Sequence, residues 1–381
     1  MEIRVSSPGK VILHGEHAVV YGKAAVAASL NLRCHLTLKE EPGSEISLDL
    51  PDVNVQRKFS LVSLRSSLQD VIDAGAMLDP SPATEEMIAA LKKFAGIDAE
   101  NTTTKDLAVI AFLYSYCSIF KTKSDLPAIS VHMKSELPVG AGLGSSAAFS
   151  VTMSAALLQL AGLIQSEKLE DGTAAWSSAD KTLINNWAFI GEKLIHGRPS
   201  GIDNSVSTYG GALRFQKGQI TLIDKMPTLT VMLVNTKVPR STMVLVAGVR
   251  EKHNKFQEIF DPVFDAVEAI TNKAESVYKL MHDDTRPEYF KTLEELVDLN
   301  HQMLNMMGVG HQSLDHIVAV AKRHEFHAKL TGAGGGGCAF VLIPPDTQPA
   351  HLEDMKQELE KLGFEVWPNT SVGGHGVLRH F

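Results

Sequence analysis

The chain has 381 residues, 44% of them hydrophobic, and a formal net charge of −8 at pH 7, which supplies cores for two domains and gives a field that repels nucleic acid and anionic membranes. No apolar run approaches the roughly 18 residues of a membrane span, and MEIRVSSPGK is neither a signal nor a transit peptide. Cys34, Cys117 and Cys338 are too widely spaced for a disulfide framework or a zinc motif, so a cytoplasmic protein without a transition metal is expected.

Residues 3 to 50 read as strands: IRVSSPGKVIL, then AAVAASLNLRCHLTLKE, a Pro42-Gly43 turn, and EISLDL before Pro51. SLQDVIDAG and TEEMIAALKKFAG have helical spacing, and Asp106 to Phe120 continues as a mostly apolar helix. AISVHMKSELP alternates apolar and polar residues, so a strand delivers the chain to Pro138. The uncharged segment from Ala147 to Gly162 predicts a helix buried on most of its surface. A further helix over Ser178 to His196 stops at Gly197, and Asp203 falls in the loop beyond it. GALRF, QITLID and LTVMLVNT read as strands. Charged amphipathic helices between Ser241 and Gly308, broken near His282 to Pro287, look like exposed bundle helices, and another covers Ser313 to His324. HAKLT, CAFVLI, a helix over LEDMKQELEKLG and FEVW end the chain. This alternation predicts an α+β second half with helices on one face of an antiparallel sheet.

Two glycine-rich stretches stand out. In PVGAGLGSSAA, Pro138 to Ala148, glycines permit a sharp backbone approach and the following helix start leaves amides unpaired, a combination that attracts phosphate. Ser145 and Ser146 can cap that helix, and a hydroxyl there can also ligate a nucleotide's Mg2+. No Lys-Ser or Lys-Thr pair follows, so this is not a Walker A loop. Gly332 to Gly337 matches G-x-G-x-x-G literally, but the strand-like CAFVLI after it removes the context for a dinucleotide. Taken alone, Glu192 and Asp203 read as a solvated helix face and an N-cap.

A third stretch, PGKVILHGEHAVVYG near the start, completes a set of three in order. Together they resemble the signature motifs of the GHMP small-molecule kinases, which phosphorylate small metabolites with ATP and Mg2+ and lack a Walker motif. The resemblance implies a two-domain fold: an N-terminal mixed α/β ATP-binding domain, residues 1–227, and a C-terminal ferredoxin-like α+β domain with extra helices, residues 228–381, with the active-site cleft between them. HGRPSGIDNSVSTYGGALRF, NTKVPRSTMVLVAGVR and GVGHQSLD are similar to the mevalonate-phosphorylating members of eukaryotic type.

That resemblance implies roles by position. Asp203 would orient the attacking hydroxyl or act as its base, with Lys10 close to it and to the transferred phosphoryl group. Lys10, Asp52, Ser135, Gly140, Ala141, Gly142, Leu143, Gly144, Ser145 and Ser146 would contact ATP, although many homologues would carry Asn at the position of Asp52. Ser146 and Glu192 would hold Mg2+, and Glu16, His17, Asp203, Arg240 and Thr242 would contact mevalonate. Arg240 suits its carboxylate because a guanidinium can bind it through two parallel hydrogen bonds; His17 could equally be a structural histidine. The family also implies competitive inhibition by isoprenoid diphosphates, with Thr104 and Ile195 at matching positions, and a homodimer. A peroxisomal share stays open, although the C-terminal Leu378-Arg379-His380-Phe381 is not an SKL-type signal.

Other readings are a phosphomevalonate kinase or galactokinase-like enzyme of the same superfamily, or a non-catalytic ATP-binding relative. Galactokinases usually read E-H-T-D-Y where this chain has Glu16-His17-Ala18-Val19-Val20, which lacks the sugar-binding Asp.

Overall fold

The computed structural model describes residues 1–74, 80–121, 126–138, 140–197, 199–224, 226–284 and 286–381. Gly75 at the end of an expected helix, Val139 in the glycine loop and Arg198 in the later motif lie outside the described residues.

The first lobe is built on two long strands. β1 (Glu2–His14) runs antiparallel to β2 (Ala25–Glu40), from Glu2 opposite Lys39 to His14 opposite Val26. β3 (Glu45–Leu50) and β4 (Val55–Ser60) form a hairpin. Three helices follow: α1 (Leu61–Ala74), α2 (Glu85–Ala95) and α3 (Thr104–Phe120). Thr84 caps α2, and Thr103 with Asp106 makes a capping box on α3, so local chemistry sets both starts. β5 (Ile129–Ser135) pairs antiparallel with β2 and parallel with β3, then enters the glycine loop.

Beyond the loop, α4 (Ser145–Ala161) is buried along nearly its whole length, as its uncharged sequence predicts. It lies against β1 and β2 and among α3, α5 and α6. β6 (Ser166–Lys168) pairs with β7 (Ala174–Trp176), α5 (Ser178–His196) is capped by Ser177, and α6 (Ile202–Tyr209) comes next. β8 (Ala212–Gln216) and β9 (Gln219–Ile223) form a hairpin whose first strand pairs with β2.

The second lobe begins with β10 (Leu229–Asn235) and the helices α7 (Thr242–Lys255), α8 (Gln257–Asp283), α9 (Pro287–Met306) and α10 (Gln312–Arg323). β11 (His327–Leu330), β12 (Cys338–Ile343), α11 (Pro349–Lys361) and β13 (Glu365–Val372) complete it. The strands lie in the order β11-β12-β10-β13, all antiparallel. With one helical connection between β10 and β11 and another between β12 and β13, this is the ferredoxin-like split βαβ arrangement. The chain then returns to the first lobe, where β14 (Leu378–His380) pairs with β1 and β7.

Two expectations are corrected. Asp203 is in the first turn of α6 and not in a loop; this helix is short and begins at a glycine, and it is held by burial of Ile202 and Val206 against Ala27 and Leu213. The helices of the second half are not simply exposed: α7 buries only Val249, but α8 buries Phe260, Phe264 and Val267 at helical spacing.

Candidate active site

The glycine loop leaves β5 at Ser135 and reaches α4 through Gly140, Gly142 and Gly144, all with positive φ of 75, 81 and 76°. Only a residue without a Cβ adopts these angles cheaply. Gly144 is itself the N-cap, and no side chain caps α4. The expectation that Ser145 or Ser146 does so is therefore corrected: they occupy the first two helical positions, and both line a cavity. The unpaired amides of that first turn give the cavity an anion-attracting wall. The loop is fastened to β1, because the Lys10 amide donates to the Leu143 carbonyl at 2.8 Å. Gly144 packs so tightly on the Lys10 stem that a Cβ there would meet Cγ at 2.9 Å.

Four of the expected residues converge beside this wall. Lys10 Nζ lies 3.3 Å from Asp203 Oδ1, with the lysine side chain 7% exposed and the aspartate 36%. Asp203 and Ser146 line the cavity and Glu192 lies buried behind Ser146, whose hydroxyl donates to Glu192 Oε2 at 3.3 Å. Burial, together with the charge of Asp203, pushes the Glu192 carboxyl up to about 8. Among the described residues its Oε1 has no hydrogen-bond partner of ordinary geometry. A buried, unpartnered carboxylate oxygen next to a hydroxyl is a hard-oxygen donor pair that fits Mg2+.

The opposite wall comes from the second lobe. Arg240, in the connection between β10 and α7, donates from Nη2 to the Ala141 carbonyl at 3.1 Å. Its guanidinium is wedged between the two glycine loops, so a Cβ at Gly142 or at Gly337 would overlap it. Among the described residues Arg240 Nε and Nη1 are buried without acceptors, and burial pulls the group's pKa down. Two donors held apart from water and from any counter-charge make an anion site. Thr242, next to it in α7, also lines the cavity.

Glu16 and His17 are not among the lining residues. Glu16 is fully buried in an ion pair with Lys329, and His17 donates from Nε2 to the Ala333 carbonyl at 2.8 Å. Burial raises the Glu16 pKa and lowers that of His17.

The cavity, about 480 Å3, extends from the charged cluster along an apolar side that includes Leu50, Val53, Met133 and Phe149. Asp52, Ser135, Thr104 and Ile195 line it too. Asp52 Oδ2 accepts the Ser135 amide at 2.6 Å, which ties the turn after β3 to the start of the glycine loop. Ala141 and Leu143 contribute backbone carbonyls to the fastenings above rather than lining surface. Sequence reasoning did not single out His196, whose Nε2–H donates to Ser146 Oγ at 2.9 Å. The signal was its place one helical turn beyond Glu192, which puts both on one face of α5.

Residues 107–211 match the family described as GHMP kinases N terminal domain, and residues 281–364 match GHMP kinases C terminal. The chain is 47% identical to mevalonate kinase of Bos taurus and 46% identical to that of Homo sapiens, in each case over 99% of this chain and 94% of the relative. A crystal structure of L. major mevalonate kinase in complex with R-mevalonate shares the fold, with a TM-score of 0.70 at 24% identity over 97% of this chain and 96% of that one.

Proposed function

We infer the activity from one premise: this chain belongs to the mevalonate kinase family of GHMP kinases. It transfers the γ-phosphoryl group of ATP to the primary hydroxyl of mevalonate, giving 5-phosphomevalonate and ADP, a step of isoprenoid and sterol biosynthesis. The observation that carries this reading is the convergence of Lys10, Asp203, Glu192 and Ser146 at the start of α4, facing the half-buried Arg240, whose Nε and Nη1 have no acceptor among the described residues.

Phosphoryl transfer asks for alignment and counter-charge more than for covalent chemistry. In our reading the amides of the α4 start and the loop residues 140–146 hold the phosphates. Asp52 and Ser135 border the nucleotide end, where the apolar side of the cavity receives the base. Arg240, with Thr242 beside it, takes the mevalonate carboxylate. This orients the far hydroxyl toward Asp203, which accepts its hydrogen bond. As the hydroxyl oxygen bonds to the γ-phosphorus, the bond from phosphorus to the bridging oxygen breaks, ADP leaves with that electron pair, and the hydroxyl proton passes to Asp203. Lys10, 3.3 Å from Asp203, holds its carboxylate in place and offsets charge on the moving group.

Glu192 and Ser146 would hold a Mg2+ ion, which when bound supplies charge neutralisation at the phosphates. Their oxygens suit it, and among the described residues no cluster of three or more His, Cys, Asp or Glu side chains offers another metal site. Thr104 and Ile195 line the same cavity, which supports isoprenoid diphosphates as inhibitors that compete with ATP by setting the diphosphate on the loop and the tail on the apolar side. A homodimer in the cytoplasm is the family's implication for assembly and location; no helix among the described residues is long and apolar enough to cross a membrane. The test is product analysis. Phosphorus and carbon NMR of the reaction mixture should show a phosphate ester on the primary carbon of mevalonate, and an ester on any other acceptor atom would refute the assignment.

A further inference from the structure

Where the first lobe meets the glycine loop at Gly332 to Gly337 there is a buried polar seam that no step above uses. Glu16, just beyond β1, and Lys329, in β11, form an ion pair with both side chains 0% exposed. Lys329 Nζ also donates to the Leu330 carbonyl at 2.8 Å. Two residues on, Thr331 Oγ1 accepts the Ile12 amide at 3.0 Å and donates to the Ile12 carbonyl at 2.9 Å. Two residues further, the Ala333 carbonyl accepts from His17. Alternate residues leading into Gly332 to Gly337 are thus fastened to β1 and the turn that follows it, and β1 carries Lys10 two positions before Ile12.

The energetics argue against a purely stabilising role for the pair. Two charges taken wholly out of water recover their desolvation cost only with excellent geometry, and apolar residues of similar volume often fold as well or better. Here the pair is incompletely satisfied, since Glu16 Oε2 has no partner among the described residues. What the pair does supply is direction. It fixes where β11 ends and the loop begins, and the Arg240 guanidinium packs directly on that loop: a Cβ on Gly337 would overlap its Nε and one on Gly332 would meet its Nη2 at 3.5 Å.

We propose that Glu16 and Lys329 are positioning residues: through Leu330 and the Thr331–Ile12 fastening they hold the loop from Gly332 to Gly337, and with it Arg240, in register with Lys10. The span between the carboxylate-binding and phosphoryl-transfer ends of the site is thereby set by a contact that touches neither substrate. Glu16 acts through Lys329 and not as a ligand of the acceptor. The inference rests on the reading above that Arg240 takes the acceptor's carboxylate.

The experiment compares the full-length parent with Glu16→Leu, Lys329→Met and the double variant, by thermal melting and by steady-state kinetics in ATP and in mevalonate. The single variants leave a buried charge without its partner and are expected to melt lower. The double variant is the decisive one. It should melt at or above the parent temperature and keep its KM for ATP within about twofold, yet lose about 10- to 100-fold in kcat/KM for mevalonate, the scale of a misplacement of about an ångström. The three variants should be non-additive, the double no worse than the worse single. A double variant equal to the parent in mevalonate kinetics would reduce the pair to a structural contact. A raised mevalonate KM in Glu16→Leu with an unchanged one in a folded Lys329→Met would make Glu16 a direct ligand, and either result overturns the proposal. If the parent itself fails to phosphorylate mevalonate, the functional reading falls instead, so the two failures are distinguishable.

Discussion

Lys10 Nζ stands 3.3 Å from Asp203 Oδ1, joining the middle of the first strand to the first turn of a helix almost 200 residues later. Both elements are fixed by burial, Lys10 between β2 and the glycine loop and α6 by Ile202 and Val206. The pair is therefore held in place before any substrate arrives.

Removing either member should act on turnover. Asp203→Asn keeps the shape and loses the charge, and kcat should fall about 100- to 10,000-fold, the usual range for a positioned acid-base group. Lys10→Met should fall comparably. Calorimetric titration with ATP should show the nucleotide still binding to Asp203→Asn within a few-fold of the parent, and kcat within tenfold of the parent would remove Asp203 from the mechanism.

Arg240→Ala deletes two buried, unpartnered donors that, on the proposed reading, take the mevalonate carboxylate. A hydrogen bond to a charged group contributes about 1.5–3 kcal/mol, or about 10- to 100-fold, and the loss should appear mainly as a raised KM for mevalonate. Gly142→Ala should mimic it, because the new methyl would occupy the place of the guanidinium and the backbone there has φ of 81°. Kinetics that vary each substrate in turn check both variants; a change confined to ATP would assign Arg240 to the nucleotide.

Glu192→Gln keeps the hydrogen bond from Ser146 but weakens the oxygen pair's attraction for a cation. Its dependence on free Mg2+ should shift to higher concentration, by about tenfold or more, while melting of the Mg2+-free protein stays level or rises because a buried carboxylate raised to about 8 is no longer there to ionise. An unchanged Mg2+ dependence would exclude Glu192 as a ligand.

The phosphate-attracting glycine loop was legible in the residues alone, whereas Lys10, Glu192, Asp203 and Arg240 were singled out through the family resemblance, and the difference has physical reasons. The glycine loop announced itself because α4 follows it without a single charged residue, and the long strands and capped helices are local signals. Asp203 was misplaced into a loop because α6 is stabilised by distant partners, Ala27 and Leu213, and by no cap of its own. The serines looked like caps by position, but Gly144 in the left-handed region takes that place and leaves Ser146 to Glu192 and His196. Glu16 gave no sign of its partner, since Lys329 lies 313 residues away and only β11 brings it near. The short strands β6, β7 and β14 carry too few residues for a period to show.

Acid should destabilise the protein through His14. This ring is fully buried, donates from Nδ1 to Asn300 and accepts from the Tyr278 hydroxyl, and burial lowers its pKa to about 3. The sign follows from the unfolded chain, which binds this proton near the ordinary 6.5 while the folded one refuses it, so stability is full above about 6.5 and declines as pH falls toward 3. At about 1.4 kcal/mol per pH unit the contribution lost between pH 7 and pH 5 is about 2 kcal/mol. Urea unfolding at both pH values should show a smaller decline in His14→Gln than in the parent, and equal declines would mean that His14 does not carry the effect.

The account is tested most directly by coupled measurement of ADP release from the parent protein and from Asp203→Ala, with mevalonate, phosphomevalonate, galactose and homoserine offered separately. It predicts turnover with mevalonate, none above background with the other three, and loss of the mevalonate signal in the variant. Turnover with galactose alone, or an Asp203→Ala variant as fast as its parent, would contradict it.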